Sequence, residues 1–322
     1  MSAYDSVASR IDHVNVRVGE PRKLLTVLAG VFELPILWPT TEFSGFASGS
    51  VFLGNMGLEP TRFGPVAGDS DEAELFAVCL EPALPARELA TELGRRGVPH
   101  SPPIPYPGRW PLGPEETRVR LSPGRGDDPL WTWVFLGGLL DDQALASLYS
   151  SRLFRSRLGP AVARLIGRLS AGRRTGRALG GAMAPKHPYA FFCEYAGLDA
   201  VAARAEARED LVSRGGGPLG IRAVREVVVC SPDPGAEVER WRTLLAPAEE
   251  MPGNRWPIGD GPAIRIDDGP KSEIRSLLIE VGSPDAAASF VEEKGLLDHA
   301  NGEIVWLNQH ALGGLRIELT GQ

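Results

Sequence analysis

Residues 11–18 read IDHVNVRV. Strict alternation sets Val14, Val16 and Val18 on one face of a strand, with Ile11, His13, Asn15 and Arg17 on the other. A helix follows at once, because Pro21 is a good first helical residue and Leu24, Leu25, Val27 and Leu28 supply an apolar side. Next come two β-rich runs, FASGSVFLGN and GLEPTRF, which meet at Gly54, Asn55 and Gly57, residues that readily turn a hairpin.

This order of strand, helix, strands recurs along the chain. ELFAVCLEP reads as a strand and PARELATELGRRG as a helix closed by Gly97. Residues 99–129 are rich in proline and glycine and read as loop, before the apolar strands WTWVFLGGLL and YAFFCEY. The cycle restarts at AVREVVVCSPDPGAEVERWRTLLA, which continues into PAIRIDDG. It restarts again at IRSLLIEVGSPDAAASFVEEKG, which continues into EIVWLNQH and LRIELTG. A parallel α/β sheet would need a helix after each strand, and here several strands follow one another directly. The reading is therefore an α+β protein of tandem βαβββ modules, paired into two domains with cup-shaped mixed sheets. The first domain spans 8–198 and carries a helical basic insertion at about 142–185. A linker at 199–220 leads to the second domain, 221–322.

With 322 residues and 43% hydrophobic content, the chain can fill two cores. A net charge of −7 is opposite to the footprint of a nucleic-acid binder. The N-terminus lacks a basic stretch followed by an apolar one, and the longest apolar run, Leu130 to Leu140, is too short to span a bilayer. Three cysteines without CxxC spacing suit a reducing compartment. The expectation is a cytoplasmic protein, monomer or homodimer, with a small-molecule substrate, no nucleic-acid partner and no transmembrane segment. No Gly-rich phosphate loop, nucleophile elbow or HExxH motif occurs.

IDHVNVRV with its PRKLL helix, LEPTRF, VVVCSPDPGAEVERW and HPYAFFCEY, in this order and spacing, resemble the vicinal oxygen chelate superfamily. That superfamily includes glyoxalase I, methylmalonyl-CoA epimerase, extradiol dioxygenases and bleomycin-binding proteins. The resemblance implies metal ligands on the first and last strands of paired modules, facing the cup. It assigns them to His13, to Glu59 in LEPTRF and to Glu194 in FFCEY, and it places Leu75 where a second imidazole often stands. One imidazole and two carboxylates suit Mn²⁺, Fe²⁺, Ni²⁺, Co²⁺ or Zn²⁺, with no single metal selected. The implied function is a divalent-metal isomerase or lyase of the glyoxalase or epimerase type, acting through a chelated enediolate or enolate. Glu59 or Glu194 would move the proton. The alternative is a non-catalytic small-molecule binding or resistance protein; a ring-cleaving dioxygenase fits less well, since such relatives use two histidines. In the second half the same register gives Glu226, Arg265, Ser276 and Glu318, which reads as a degenerate cup closed by an ion network.

Each residue also has a plainer reading. His13 can be a half-buried strand histidine satisfied by Asn15, and Glu59 an edge-strand charge. Glu194 is harder to dismiss, because an acid in an apolar run needs a partner. Asn15 and His187 are candidate substrate contacts, although the His-Pro pair at 187–188 can simply shape a turn. Residues 143–186 carry nine cationic side chains and no acidic one. The expectation is a lid whose Arg168 and Arg173 hold an anionic substrate group. The alternatives are an arm paired with Asp69, Asp71, Glu72 and Glu74, and a helix lying on an anionic membrane.

Overall fold

The computed structural model describes residues 6–63, 72–107, 109–122, 129–141, 143–151, 159–171 and 187–321. The first module runs β1 (Ala8–Arg17), helix Pro21–Gly30, β2 (Ile36–Glu42), β3 (Phe46–Phe52) and β4 (Gly57–Phe63). The second runs β5 (Glu74–Pro82), helix Ala86–Arg95, β6 (Ile104–Tyr106), β7 (Trp131–Phe135) and β8 (Tyr189–Glu194). Together they form one eight-stranded sheet, ordered β2-β3-β4-β1-β5-β8-β7-β6. The modules join through the antiparallel β1–β5 pair, and each first strand lies parallel to its own module's last, β1 to β4 and β5 to β8.

The second half repeats the plan with one strand fewer. β9 (Ile221–Ser231), helix Pro234–Leu245, β10 (Arg255–Pro257) and β11 (Ala263–Asp268) make its first module. β12 (Glu273–Val281), helix Pro284–Glu293, β13 (Leu297–Ala300), β14 (Ile304–Leu307) and β15 (Ile317–Thr320) make the other. The sheet order is β10-β11-β9-β12-β15-β14-β13. Both helices open on proline behind a side-chain cap, Asp233 accepting from the Ala236 amide and Ser283 from the Ala286 amide. The fold is thus α+β with two curled mixed sheets, as the repeat implies.

A single apolar core runs between the two halves, joining Ile11, Val14, Val78 and Phe192 to Val227, Trp241 and Leu277. Burying each of these side chains contributes about 1.5–3 kcal/mol before ordering costs. The seam is also keyed by Asn55, whose amide donates to the Val224 carbonyl and accepts from the Val224 amide, both at 2.9 Å. Beside it, Gly54 has φ +88, and a Cβ there would sit 2.2 Å from the Arg222 carbonyl oxygen, so only glycine fits.

Most of the segment 199–220, read as a linker, is a helix. Ala200–Ser213 starts behind Asp199, which accepts from the Ala202 amide. Helical structure in the insertion is present at Gln143–Tyr149 and Gly159–Ala171. No helix among the described residues is long and apolar enough to cross a membrane.

Candidate functional site

Two β-bulges build the floor of the first cup. Along β1 and β5, Ile11 pairs with Leu80 and His13 with Cys79, which leaves Asp12 as an extra residue. Ile11 and Val14 therefore enter the core, while Asp12 and His13 both reach the cup. This corrects the strict alternation, which set Ile11 beside His13. Farther along, Asn15 pairs with Ala77 and Val16 with Leu75, so Phe76 is the extra residue on β5. Leu75 turns into the core, and Cys79 is the β5 residue opposite His13.

Asp12, His13 and Glu59 are all buried. The His13 Nδ1 lies 2.7 Å from the Asp12 Oδ2, and its Nε2 lies 3.1 Å from the Glu59 Oε2. Glu59 is register-paired with Asn15, whose Nδ2 donates to the Thr61 Oγ1 at 3.2 Å. The Asn15 Oδ1 is buried without a hydrogen-bond partner. Asp12 also accepts from the Tyr195 hydroxyl at 2.7 Å and from the Arg204 guanidinium at 2.5 Å. Arg204 belongs to the helix Ala200–Ser213 and makes a second ion pair with Glu81 at 2.7 Å.

These contacts set the charges. Burial pushes the Asp12 carboxyl up, but His13, Arg204 and Tyr195 together hold it well below the usual carboxylate range. Burial alone would lower the His13 imidazole, yet Glu59 and Asp12 carry it above the ordinary histidine value. Burial raises the Glu59 carboxyl, and His13 opposes that only in part. With its Nδ1 proton given to Asp12, a neutral His13 would turn a lone pair toward the Glu59 carboxylate. Two acceptors 3.1 Å apart need a proton or a cation between them.

Asp12, His13 and Cys79 also come close, their ligand atoms lying within 4.8 Å of one another. That side suits a cation less well. Both Asp12 oxygens are engaged, Arg204 already supplies positive charge, and burial pushes the Cys79 thiol well up. All three cysteines are free.

Above this floor stands a cavity of about 420 Å³ with aromatic walls. Tyr106 and Trp131 stack at 4.6 Å, Phe43 and Phe46 at 4.7 Å, and Phe191 meets the His13 ring edgewise at 5.9 Å. Leu148, Tyr149 and Ile166 of the insertion line the same cavity.

Of the residues expected here, His13, Glu59 and Asn15 meet, and Glu194 does not join them. Tyr189, Phe191, Cys193 and Tyr195 line the cavity, so Glu194 shares the opposite face of β8 with Ala190 and Phe192, which pack in the core. His187 is exposed at the entrance to β8, away from the cavity. Arg168 is exposed and does not line it, and Arg173 lies outside the described residues. Of the acids considered for an arginine-rich arm, Asp69 and Asp71 also lie outside them, and Glu74 pairs with Arg17. The sequence reading missed Asp12, Arg204 and Tyr195.

In the second cup Glu226 is buried between Arg255 at 3.1 Å and Arg265 at 2.5 Å, and Arg265 also reaches Asp267. The expected ion network is present around Glu226. Outside that network, Arg316 contacts Gln309 and Glu273.

No family model matches the sequence, and no curated protein matches it. Solved structures do. A Mn(II)-bound glyoxalase from Novosphingobium aromaticivorans superposes with a TM-score of 0.55 at 14% identity, covering 98% of this chain and 83% of that one. The 2,3-dioxygenase LapB from Pseudomonas sp. KL28 gives 0.53 at 10% identity, covering 99% and 94%. This chain has the vicinal oxygen chelate fold. A variant of homoprotocatechuate 2,3-dioxygenase from B. fuscum gives 0.52 at 10% identity, covering all of this chain and 74% of that one. At such identities the shared property is the vicinal oxygen chelate fold itself, and the chemistry rests on the residues of this chain.

Proposed function

We propose that the first cup is the reaction centre of a small-molecule enzyme working with one divalent cation, an isomerase or lyase acting on a carbon beside a carbonyl. The observation that carries this is the His13 Nε2 facing the Glu59 carboxylate at 3.1 Å while the His13 Nδ1 is committed to Asp12. The donor set fits such an ion. His13 Nε2 and a Glu59 oxygen would hold it, and the unpartnered Asn15 Oδ1 on the same face offers a neutral third oxygen. These N and O donors suit Mn²⁺, Fe²⁺, Co²⁺, Ni²⁺ or Zn²⁺ alike. When bound, the ion would polarise a substrate carbonyl as a Lewis acid.

The chain's own groups supply the rest. Asp12 fixes the tautomer and tilt of His13, in the manner of carboxylates behind metal-binding imidazoles. Arg204 and Tyr195 in turn keep Asp12 ionised and in place. Glu59, its carboxyl raised by burial, is poised to take and return a proton at carbon. The aromatic walls keep water from that exchange. With Glu194 on the core face and His13 the only histidine lining the cavity among the described residues, the two-histidine ligand set of a ring-cleaving dioxygenase is not assembled here.

A second reading is favoured by those same walls, since an aromatic cavity can hold a small molecule without any metal. Elemental analysis of purified chain separates the two. About one equivalent of a divalent metal, lost on His13→Ala, supports the enzyme. Metal-free protein that still retains a ligand supports sequestration.

A further inference from the structure

The nine cationic side chains of the insertion suggest an anionic ligand; the roof of the cavity argues otherwise. On the helix Gly159–Ala171, Ile166 lines the cavity, and Gly167 lies against β6 so closely that a Cβ would sit 2.1 Å from the Pro105 carbonyl oxygen. Arg164 and Arg168 each stand roughly 200° around the helix from Ile166, and both are exposed. Among its described residues, the insertion turns Leu148, Tyr149 and Ile166 toward the cavity and Arg164 and Arg168 outward.

The floor leads the same way. Among the described residues, the charged groups lining the cavity are Asp12, His13, Glu59 and Arg204. Arg204 is already shared by Asp12 and Glu81, and His13 stands between Asp12 and Glu59. Among the described side chains, a carboxylate or phosphate on the ligand would find no uncommitted cation and would face buried acids, a costly arrangement in an apolar setting. The walls offer ring faces and edges, which favour a flat apolar body.

We infer that the first cup takes an uncharged, ring-bearing small molecule without a phosphate or carboxylate handle. The inference rests on the first cup being the reacting site, and it names the ligand class for that site. Calorimetric titration of the full chain with 2-naphthol and with 2-naphthyl phosphate tests it, once after chelator treatment and once with Mn²⁺ added. The expected result is saturable 2-naphthol binding in both states, at least about tenfold tighter than the phosphate ester. Trp131→Leu should weaken 2-naphthol about tenfold; if that variant fails to fold, Phe43→Leu serves in its place. Arg168→Ala should change neither titration. Phosphate binding as tight as naphthol binding, or phosphate binding lost on Arg168→Ala, overturns the inference, as does an absence of naphthol binding in a chain that holds its metal. Naphthol binding by a chain that takes up no added Mn²⁺ sustains the ligand class and removes the metal enzyme.

Discussion

At the scale of single residues, the site depends on how Asp12 is held. One carboxylate serves the His13 ring, the Tyr195 hydroxyl and the Arg204 guanidinium, all close to or within the protein interior. Arg204→Ala would leave Asp12 buried without its cation, and we expect a loss of about 3–5 kcal/mol in urea unfolding. The depressed Asp12 carboxyl adds stability that is complete above the unfolded-state value near about pH 4 and drains away as pH falls toward its lower folded value. His13 works in the other direction. Its folded value is raised, so it keeps its proton beyond the ordinary range near about 6.5. A metal must displace that proton, so affinity should climb as pH rises through the raised value. Mn²⁺ titrations at about pH 6 and about pH 8.5 check this; equal affinity at both would remove His13 from the ligand set.

At the scale of elements, periodicity told which segments are strands and left open which side faces the cup. His13 and Glu59 were placed at the cup by the resemblance, and alternation supported them and Asn15, because β1 and β4 carry polar residues on the cup face and valine or leucine on the core face. Asp12 was hidden by a bulge, which no pattern in IDHVNVRV announces. β8 failed for a different reason. It is apolar on both faces, with Ala190 and Phe192 toward the core and Tyr189, Phe191 and Cys193 toward the cavity, so alternation carries no contrast. Glu194 was therefore placed by the resemblance alone, with no check from the pattern of its own strand. Glu194→Gln should leave metal content at the wild-type level, read by elemental analysis; a loss would return that side chain to the site. Arg204 was illegible as well, because its partner Asp12 lies 192 residues away and only the packed helix brings the two together.

At the scale of the molecule, two copies of one plan have diverged around a shared core. The first cup keeps an imidazole and a carboxylate facing each other, whereas the second neutralises Glu226 between two arginines. The repeat itself was readable, because each module begins with an apolar strand followed by a proline-opened or glycine-closed helix. The seam was not, since Gly54 and Asn55 read as an ordinary turn until their contacts with Arg222 and Val224 are known. Gly54→Ala should cost at least about 1–2 kcal/mol from its left-handed backbone alone, seen as a lowered unfolding midpoint. Glu226→Gln should lower stability and leave metal binding intact. The central claim is that the first cup alone holds one divalent cation between His13 and Glu59. Electron paramagnetic resonance titration of Mn²⁺ into the chelator-treated chain tests it most directly, run beside Glu59→Gln and Glu226→Gln. The account predicts one saturable site in the wild type, kept in Glu226→Gln and abolished in Glu59→Gln. Undiminished Mn²⁺ binding by Glu59→Gln would contradict it.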